Sequence, residues 1–282
     1  MAVPTQADDA GDIQDSIKES FEVEPGGTLY IDADQGSIEI EAVREQSVQI
    51  EVIRIVDGRR ADADRLFETH TVEMSERDGD VTIRSEIDNE DSIWNAWRGK
   101  VQLKVRIRVR IPEDYDVDFE TGAGNVWVAD AIGDIEGRTG AGNVDLEAIS
   151  GDVDIRSGAG NITLEDIFGD IDLRSGAGNV SVRGARGYVD AATGAGNLTA
   201  ELTEQPNEDC SFETGAGNVT VYINDDLQVD VDAVAAMGSA STDFPIEVQG
   251  KWMKKSFEGS LNGGGPEIRL RAGVGNVTLR RL

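Results

Sequence analysis

Apolar and polar residues alternate along the middle of the chain in short, repeated stretches. One stretch reads Gly-Asn-Val-Asp-Leu-Glu over residues 142–147, and another reads Gly-Asp-Val-Asp-Ile-Arg over residues 151–156. A period of two is typical of a β-strand with one buried face. The pattern therefore predicts two short strands that are separated by tight, glycine-containing turns. The side chains predicted to point inward are those of Val144, Leu146, Val153 and Ile155.

A Thr/Ser-Gly-Ala-Gly-Asn motif sets the length of the repeat. Five consecutive copies start eighteen positions apart, the sixth starts three positions later than this spacing would place it, and a degraded seventh occupies residues 272–276. Repeats of this length indicate a solenoid in which each coil stacks on the next. The six regular copies start at Thr121, Thr139, Ser157, Ser175, Thr193 and Thr214.

Two strands and two turns in each repeat close one coil, so the predicted fold class is all-β. We expect a right-handed parallel β-solenoid, or β-helix, because crossovers between parallel strands are overwhelmingly right-handed. Each coil spans one repeat of eighteen positions, and flanking strands together with one short helix at residues 61–68 cap the stack. We also expect the motif asparagines to stack as an inner ladder of hydrogen-bonded amides. This structural ladder comprises Asn125, Asn143, Asn161, Asn179, Asn197 and Asn218.

The pattern divides the chain into four regions. Residues 1–20 are polar and aperiodic, which predicts a disordered N-terminal tail. Residues 21–120 form an N-terminal β region continuous with the solenoid, and residues 121–225 form the regular repeats. Residues 226–282 supply C-terminal coils and a cap, because a solenoid end otherwise exposes unpaired strand edges.

One predicted strand, at residues 101–111, stands out by its charge. Its outward positions carry four cations in a chain that is otherwise strongly acidic. Pairing with acidic neighbouring strands is one interpretation, and a docking stripe for an anionic partner is the other. The candidate partner-facing residues are Lys104, Arg106, Arg108 and Arg110.

The composition narrows the classes of function. The chain has 55 Asp and Glu against 26 Lys and Arg, a net charge of −29, so we expect salt adaptation and no binding to nucleic acid. A single cysteine, Cys210, excludes an internal disulfide and a CxxC zinc site. No apolar run is long enough to span a membrane. The first residues do not resemble a signal peptide, and a cleaved signal or anchor stays open.

No arrangement of residues predicts an active site, a cofactor or a metal. The only histidine, His70, is interpreted as structural. The motif resembles the nonapeptide of calcium-binding β-rolls, but Val144 stands where that repeat places the ligating aspartate. A polysaccharide-cleaving β-helix could use Asp154 and Asp172, yet coils with tight turns leave no loops for a cleft.

The repeat halves resemble the β-strand-repeat "putative adhesin" family, a bacterial and archaeal domain of unknown function. Residues 244–250, Phe-Pro-Ile-Glu-Val-Gln-Gly, followed by Gly-Gly-Gly-Pro-Glu-Ile-Arg-Leu at 263–270, look like that family's C-terminal signature. The resemblance covers roughly residues 21–282. It implies a β-helical fold and an exported or envelope-associated location, and it carries no catalytic residues. The family often has Gly-Ser-Gly-Asp where this chain has Gly-Ala-Gly-Asn.

These observations predict a non-enzymatic, adhesin-like structural protein that interacts with a surface. A self-assembling, filament-like scaffold is the alternative, and a carbohydrate-active β-helix enzyme is the less favoured one. The expected partner is a protein or glycan surface, with self-association as a second option. The expected location is extracellular or in the cell envelope, and a cytoplasmic location stays open.

Overall fold

A computed structural model describes residues 12–88, 102–246, 248–249 and 255–282. Two compact units make up the described chain: the first ends at Ala131 and the second begins at Ile132. Nearly all of the regular structure in both units is β, as predicted. The first unit contains β1 (Asp12–Glu22), β2 (Thr28–Ala33), β3 (Ser37–Val43), β4 (Ser47–Asp57), α1 (Arg60–Glu68), β5 (His70–Arg77), β6 (Asp80–Ile87), β7 (Leu103–Pro112), β8 (Asp116–Ala123) and β9 (Val126–Ala129).

The first unit has a solenoid part and an antiparallel part. In one sheet β2 pairs in parallel with both β8 and β6, and in the other β3 pairs in parallel with both β9 and β7. The direction of pairing then changes: β5 is antiparallel to β6, β4 is antiparallel to β7, and β1 is antiparallel to β4. Helix α1 packs against β4, β5 and β7 and buries Ala63. The predicted helix at residues 61–68 is confirmed.

The second unit continues the two-strand pattern. Its first ten strands are β10 (Ile135–Ala141), β11 (Val144–Ser150), β12 (Val153–Ala159), β13 (Ile162–Phe168), β14 (Ile171–Ala177), β15 (Val180–Ala185), β16 (Val189–Ala195), β17 (Leu198–Leu202), β18 (Cys210–Ala216) and β19 (Val219–Ile223). The last six are β20 (Val229–Met237), β21 (Ala240–Thr242), β22 (Val248–Gln249), β23 (Lys255–Leu261), β24 (Glu267–Val274) and β25 (Val277–Arg281).

Each coil of the second unit pairs in parallel with the next, in a register of one repeat. Val153 lies beside Ile171, and Ile171 lies beside Val189. The chain end breaks this order: β24 pairs with β18 and β25 pairs with β19, while β20 pairs with the far side of β24. The final coil is therefore inserted before the coil that precedes it in sequence. Strand β23 extends the sheet by antiparallel pairing with β20, and β22 pairs with the other side of β23.

The predicted inward positions form the core. Val144, Leu146, Val153 and Ile155 are each at most 2% exposed. The equivalent positions in neighbouring coils stack in register and hold mostly aliphatic side chains, with Gly137 and Phe212 as exceptions in the column of Ile155. The chain thus folds as a parallel β-solenoid with period-two burial along its strands.

The motif glycines let neighbouring coils approach each other closely. Gly160 has φ +129°, and a Cβ built on it would lie 2.1 Å from the carbonyl oxygen of Gly142. Gly178 repeats this arrangement one coil later, with φ +139° and a distance of 1.9 Å to the Gly160 oxygen. A side chain fits neither the backbone conformation nor the space, so the glycine is a steric requirement of stacking.

The asparagine ladder differs from the one expected. The Asn143 Oδ1 atom accepts a hydrogen bond from the backbone N–H of Asn161 at 3.0 Å, and this bond recurs up the column. The amides therefore bond mainly to backbone, and the side chains lie at an exposed corner rather than inside the coil. The expectation of an inner ladder was wrong because the glycine turn places the asparagine outside the core. Asn125 is also exposed, and its carbonyl oxygen accepts a bond from the Ile38 N–H at 2.8 Å.

A second corner of the coil uses aspartate in the same way. The Asp134 Oδ1 atom accepts a bond from the Asp152 N–H at 2.8 Å, and Asp152 does the same for Asp170 at 2.9 Å. In the coils that carry both residues, each turn is thus held by a side-chain oxygen that accepts the backbone N–H of the coil above. The alternation pattern indicated the turns but not this shared bonding.

One expectation about the N-terminal region changes. Residues 12–20 were expected to lack structure, but they lie in β1, which pairs with β4 along its whole length. The expectation was wrong for these residues because an edge strand is held by backbone hydrogen bonds and needs no regular alternation. The rest of the predicted tail, residues 1–11, lies outside the described residues. So do Val101, predicted to begin the cationic strand, and residues 247 and 250 of the C-terminal signature.

A column of left-handed residues predicts a stabilising substitution. Ala148 has φ +54° on an exposed position of β11, and two coils later the same column holds Gly184, with φ +66°. Because alanine pays a left-handed penalty of about 1–2 kcal/mol, Ala148→Gly should raise the free energy of unfolding by up to about 1 kcal/mol. Chemical denaturation measures this change.

The matched control is Ala159→Gly, at an exposed position where the backbone is not left-handed. Glycine there should cost about 0.5–1 kcal/mol. An equal loss of stability in both variants would contradict the left-handed conformation of Ala148.

Candidate binding surface

The four cations of β7 lie on the outer face of a sheet, and the three arginines among them lie beside acidic residues of β3. The Arg108 Nε atom donates to Glu39 Oε2 at 2.9 Å, and Arg106 Nε lies 3.7 Å from Glu39 Oε1. The Arg110 Nε atom lies 3.4 Å from Glu41 Oε2. Pairing with an acidic strand, one of the two interpretations of this stripe, accounts for three of the cations.

Lys104 differs from the three arginines. It is exposed, and its cross-strand neighbour on β4 is Ile55. Among the residues that the structure describes, Lys104 forms no ion pair within 4.0 Å. The structure therefore places Lys104 on the same strand as the arginines but away from their acidic partners.

A straight row of side chains crosses five strands of this face. Lys18 on β1 is opposite Glu51 on β4, and Glu51 is opposite Arg108 on β7. Arg108 is in turn opposite Glu39 on β3, and Glu39 is opposite Trp127 on β9. We call this line the Trp127 row. Its members stand on five hydrogen-bonded strands, so the sheet fixes their spacing.

A second row runs two residues further along the strands. It contains Ser20, Gln49, Arg110 and Glu41, which are cross-strand neighbours in that order. The two rows line a groove of about 960 Å³ whose wall includes the indole of Trp127. Trp127 is 37% exposed.

The charges in this groove nearly cancel. The Lys18 Nζ atom lies 2.9 Å from Glu51 Oε1, and the arginines pair with Glu39 and Glu41 as described. Only Glu19 adds a charge without a counterpart in the groove lining. This near-neutral surface contrasts with a chain whose net charge is −29.

A smaller groove of about 360 Å³ lies on the outer face of the other sheet of the first unit. Tyr30, which is 40% exposed, lines it together with side chains from β5 and β6. The lining carries Glu73, Glu76 and Asp80 against Arg77 and Arg84. This groove provides an internal comparison, because it also presents one exposed aromatic ring among charged side chains.

The only histidine belongs to a buried polar cluster of the first unit. The His70 Nε2 atom and the Ser85 Oγ atom are 2.9 Å apart, and both side chains are buried, with Ser85 fully inaccessible. Arg54 lies beside them, donates to the backbone oxygen of Phe67 at 2.9 Å, and pairs with Asp15. Because both side chains are buried, a substrate cannot reach the Ser85 hydroxyl, and we interpret the pair as structural.

Burial lowers the pKa of His70 to about 4, and the charge of Arg54 acts in the same direction. An unfolded histidine has a pKa near 6.5. Between about pH 6.5 and pH 4 the unfolded chain therefore binds a proton that the folded chain does not. Stability falls as the pH falls through this window, and this contribution levels off below it.

His70→Gln should remove this contribution. The wild-type free energy of unfolding is expected to fall about 2–3 kcal/mol more than that of the variant between pH 7 and pH 4. Denaturant titrations at intervals across this range measure both slopes, and carboxylate titration is common to both proteins. Parallel curves for the two proteins would show that His70 is not buried in its neutral form.

The position that would bind calcium in a β-roll is occupied by core side chains. Val144, Ile162 and Val180 are each at most 1% exposed, so their positions belong to the packed interior. Within the described ranges, no group of three His, Cys, Asp or Glu side chains is arranged to hold a metal ion. Burial raises the pKa of the Cys210 thiol to about 11, which keeps it protonated at neutral pH.

The acidic and basic columns of the repeats pair within and between coils. Arg138 lies 2.6 Å from Glu136, and Arg156 lies 3.0 Å from Asp154. Arg174 bridges two coils, at 3.3 Å from Asp172 and 2.5 Å from Asp190. Burial raises the pKa of Asp172 although Arg174 opposes this. These columns form a paired, solvated face.

Sequence reasoning found the cationic half of the candidate surface and missed the rest. The alternation Glu39-Ile-Glu41 signalled an acidic outer face on β3, but its pairing with β7 is set by topology. Lys18 fell in the region expected to be disordered. The exposure of Trp127 had no signal, because an outward position on a strand does not tell whether a neighbour covers it.

Two crystal structures are similar to this chain at low sequence identity. A crystal structure titled a "putative adhesin" from Bacteroides fragilis is 15% identical, covers 95% of this chain and 97% of its own, and has a TM-score of 0.47. A "putative cell adhesion protein" from Clostridium sporogenes is 14% identical, with 95% and 100% covered and a TM-score of 0.32. At these sequence identities and TM-scores, similarity to a solved structure does not extend to function.

No curated protein matches the chain. Within the described residues, no helix is long and apolar enough to cross a membrane. The model of one family, Toastrack DUF4097, matches residues 27–280, which is most of the sequence. The chain therefore belongs to the Toastrack DUF4097 family.

Proposed function

We propose that this protein is a non-enzymatic, adhesin-like surface-interaction protein that works outside the cytoplasm, in the cell envelope or beyond it. The observation that carries the proposal is the recessed outer face of the first unit, where the Trp127 row presents an exposed indole among polar side chains. A rigid sheet that holds aromatic and planar polar groups at fixed spacing suits recognition. The inaccessibility of His70 and Ser85 supports the non-enzymatic part of the proposal.

Binding to immobilised surfaces tests this function. The purified protein would be applied to whole bacterial and host cells, to matrix proteins and to an array of neutral and acidic glycans. Saturable binding to at least one class is expected, with bovine serum albumin as the negative control protein. If the protein binds none of these surfaces at either low or high salt, the proposal is contradicted.

Self-assembly into a scaffold is the second candidate, and the edge of β1 favours it. Among the described residues, this eleven-residue strand is paired only on its β4 side, and it contains neither proline nor an irregularity of register. A long open edge can accept a strand of another copy. Sedimentation at increasing protein concentration in molar salt should reveal growing species, and a monomer at all concentrations would exclude this candidate.

Salt adaptation is part of the same proposal. A net charge of −29 repels itself within a compact fold, and the Debye length shrinks from about 30 Å at 0.01 M to about 3 Å at 1 M. We therefore expect the melting temperature to rise steeply between low and molar KCl, and equally in NaCl. A melting temperature that does not respond to salt would remove this part of the proposal.

A further inference from the structure

We propose that the groove of the Trp127 row binds a neutral oligosaccharide. This inference rests on the proposed surface-interaction function and names the ligand class and the site. It follows from three features of the groove: its aromatic face, its hydrogen-bonding groups and its charge.

The aromatic face comes from Trp127. The apolar C–H face of a sugar ring packs well on an indole, because the contact removes apolar surface from water while the hydroxyls at the ring edge remain free to bond. Trp127 is one of the few large apolar side chains with more than a third of its surface exposed in the described chain. It is the last member of the row, beside Glu39 on β3.

The hydrogen-bonding groups are planar and evenly spaced. Carboxylates of Glu39 and Glu41 alternate with the guanidiniums of Arg108 and Arg110 across β3 and β7. The arginine ion pairs are made through Nε, and in the described part of the chain the Nη atoms of both arginines make no hydrogen bond to a protein group. Carboxylate oxygens accept and Nη groups donate, so adjacent hydroxyls of one sugar can be bonded in both senses.

The charge of the groove selects against acidic sugars. Three cations are each paired with a carboxylate, and Glu19 leaves the lining with a slight negative excess. The strongly acidic chain adds long-range repulsion for any anionic ligand. A sialylated or uronic-acid-containing glycan would therefore bind less well than an uncharged one.

The span of the row sets the size of the ligand. From β1 to β9 there are four strand spacings of about 4.8 Å each, or roughly 19 Å. This length accommodates a few sugar rings laid across the strands. The ligand should therefore be an oligosaccharide or an internal segment of a polysaccharide, since a monosaccharide would contact only one part of the row.

The test measures binding of linear neutral hexasaccharides of glucose, mannose and galactose by titration calorimetry, with sialylated and uronic-acid oligomers as charged comparisons. At least one neutral oligomer should bind, and Trp127→Ala should weaken that binding about tenfold or more, as expected for an aromatic anchor of a binding site. Tyr30→Ala is the matched control, because it removes an equally exposed ring from the other groove. It should leave the affinity unchanged.

Arg110→Ala provides a second variant that does not depend on the packing of Trp127. The Arg110 side chain is 59% exposed, so the fold should tolerate its loss, while the affinity should fall several-fold. Melting curves confirm that each variant is folded.

Each other outcome overturns the inference in a distinguishable way. Neutral oligomers that bind equally well to wild type and Trp127→Ala would place the glycan site elsewhere and leave the surface-interaction function standing. If only acidic glycans or only proteins bind, the surface-interaction function stands, but the proposal of a neutral ligand is overturned. Binding to no surface and no glycan would overturn both the site and the proposed function.

Discussion

Gly160→Ala is expected to lower the free energy of unfolding by about 3–5 kcal/mol, because it combines a left-handed backbone penalty with overpacking against a fixed neighbour. The new Cβ would lie 2.1 Å from the Gly142 carbonyl oxygen. That oxygen belongs to the backbone of the turn between β10 and β11, so the conflict cannot be relieved by a side-chain rotation. Denaturant unfolding followed by circular dichroism measures the loss.

Gly263→Ala separates the two causes. Gly263 also has a positive φ, +103°, but nothing lies within 4 Å of a Cβ built on it. Only the backbone penalty of about 1–2 kcal/mol should remain. If Gly160→Ala costs no more than Gly263→Ala, the coils do not approach each other as closely as the structure indicates.

Asp15→Ala is expected to destabilise the first unit by about 3 kcal/mol, because it leaves a buried charge without its partner. The Arg54 side chain is only 11% exposed and forms an ion pair with Asp15. Arg54 also donates to the backbone at the end of α1, so its displacement would disturb the helix. Thermal and chemical unfolding of the variant measure the effect.

Lys18→Ala on the same strand is the control. Its pair with Glu51 is solvated, with 68% of the lysine side chain exposed, and pairs of this kind contribute little to stability. A Tm close to that of wild type is expected for Lys18→Ala. If Asp15→Ala behaved likewise, residues 12–22 would not be an integral strand of the fold.

Local pattern was sufficient to predict the repeating coils. Inward aliphatic positions such as Val144 and Ile155 follow from alternation, and the coil length follows from the spacing of the motif. These features are local, so each repeat carries the information that places it. The same reasoning located the short helix α1, whose boundaries differ from the prediction by one residue.

Features set by long-range pairing were not accessible from the pattern. The insertion of β24 beside β18 joins residues more than fifty positions apart, and nothing in either strand specifies that neighbour. The same holds for β1, because β2 and β3 separate it in sequence from its partner β4. The ladder of asparagines was predicted as a column, but its bonding to backbone depends on turn geometry.

The candidate surface shows the same contrast between local features, which the sequence pattern predicts, and long-range strand pairing, which it does not. Lys104, Arg106, Arg108 and Arg110 could be proposed because four cations on one strand face are conspicuous in an acidic chain. The partners of the three arginines on β3, and the tryptophan that completes the row, come from strands joined only by the parallel stacking of coils. A binding surface assembled from five strands is visible only once their order and register are known.

Nuclear magnetic resonance titration tests most directly the claim that the Trp127 row is the binding face. A hexasaccharide selected by calorimetry would be added to isotope-labelled protein, and backbone amide shifts would be followed strand by strand. Binding in this groove should produce saturable shifts concentrated in β1, β4, β7, β3 and β9, near Lys18, Glu51, Arg108, Glu39 and Trp127. Shifts concentrated in β2, β5 and β6 around Tyr30, or no saturable shifts at all, would contradict it.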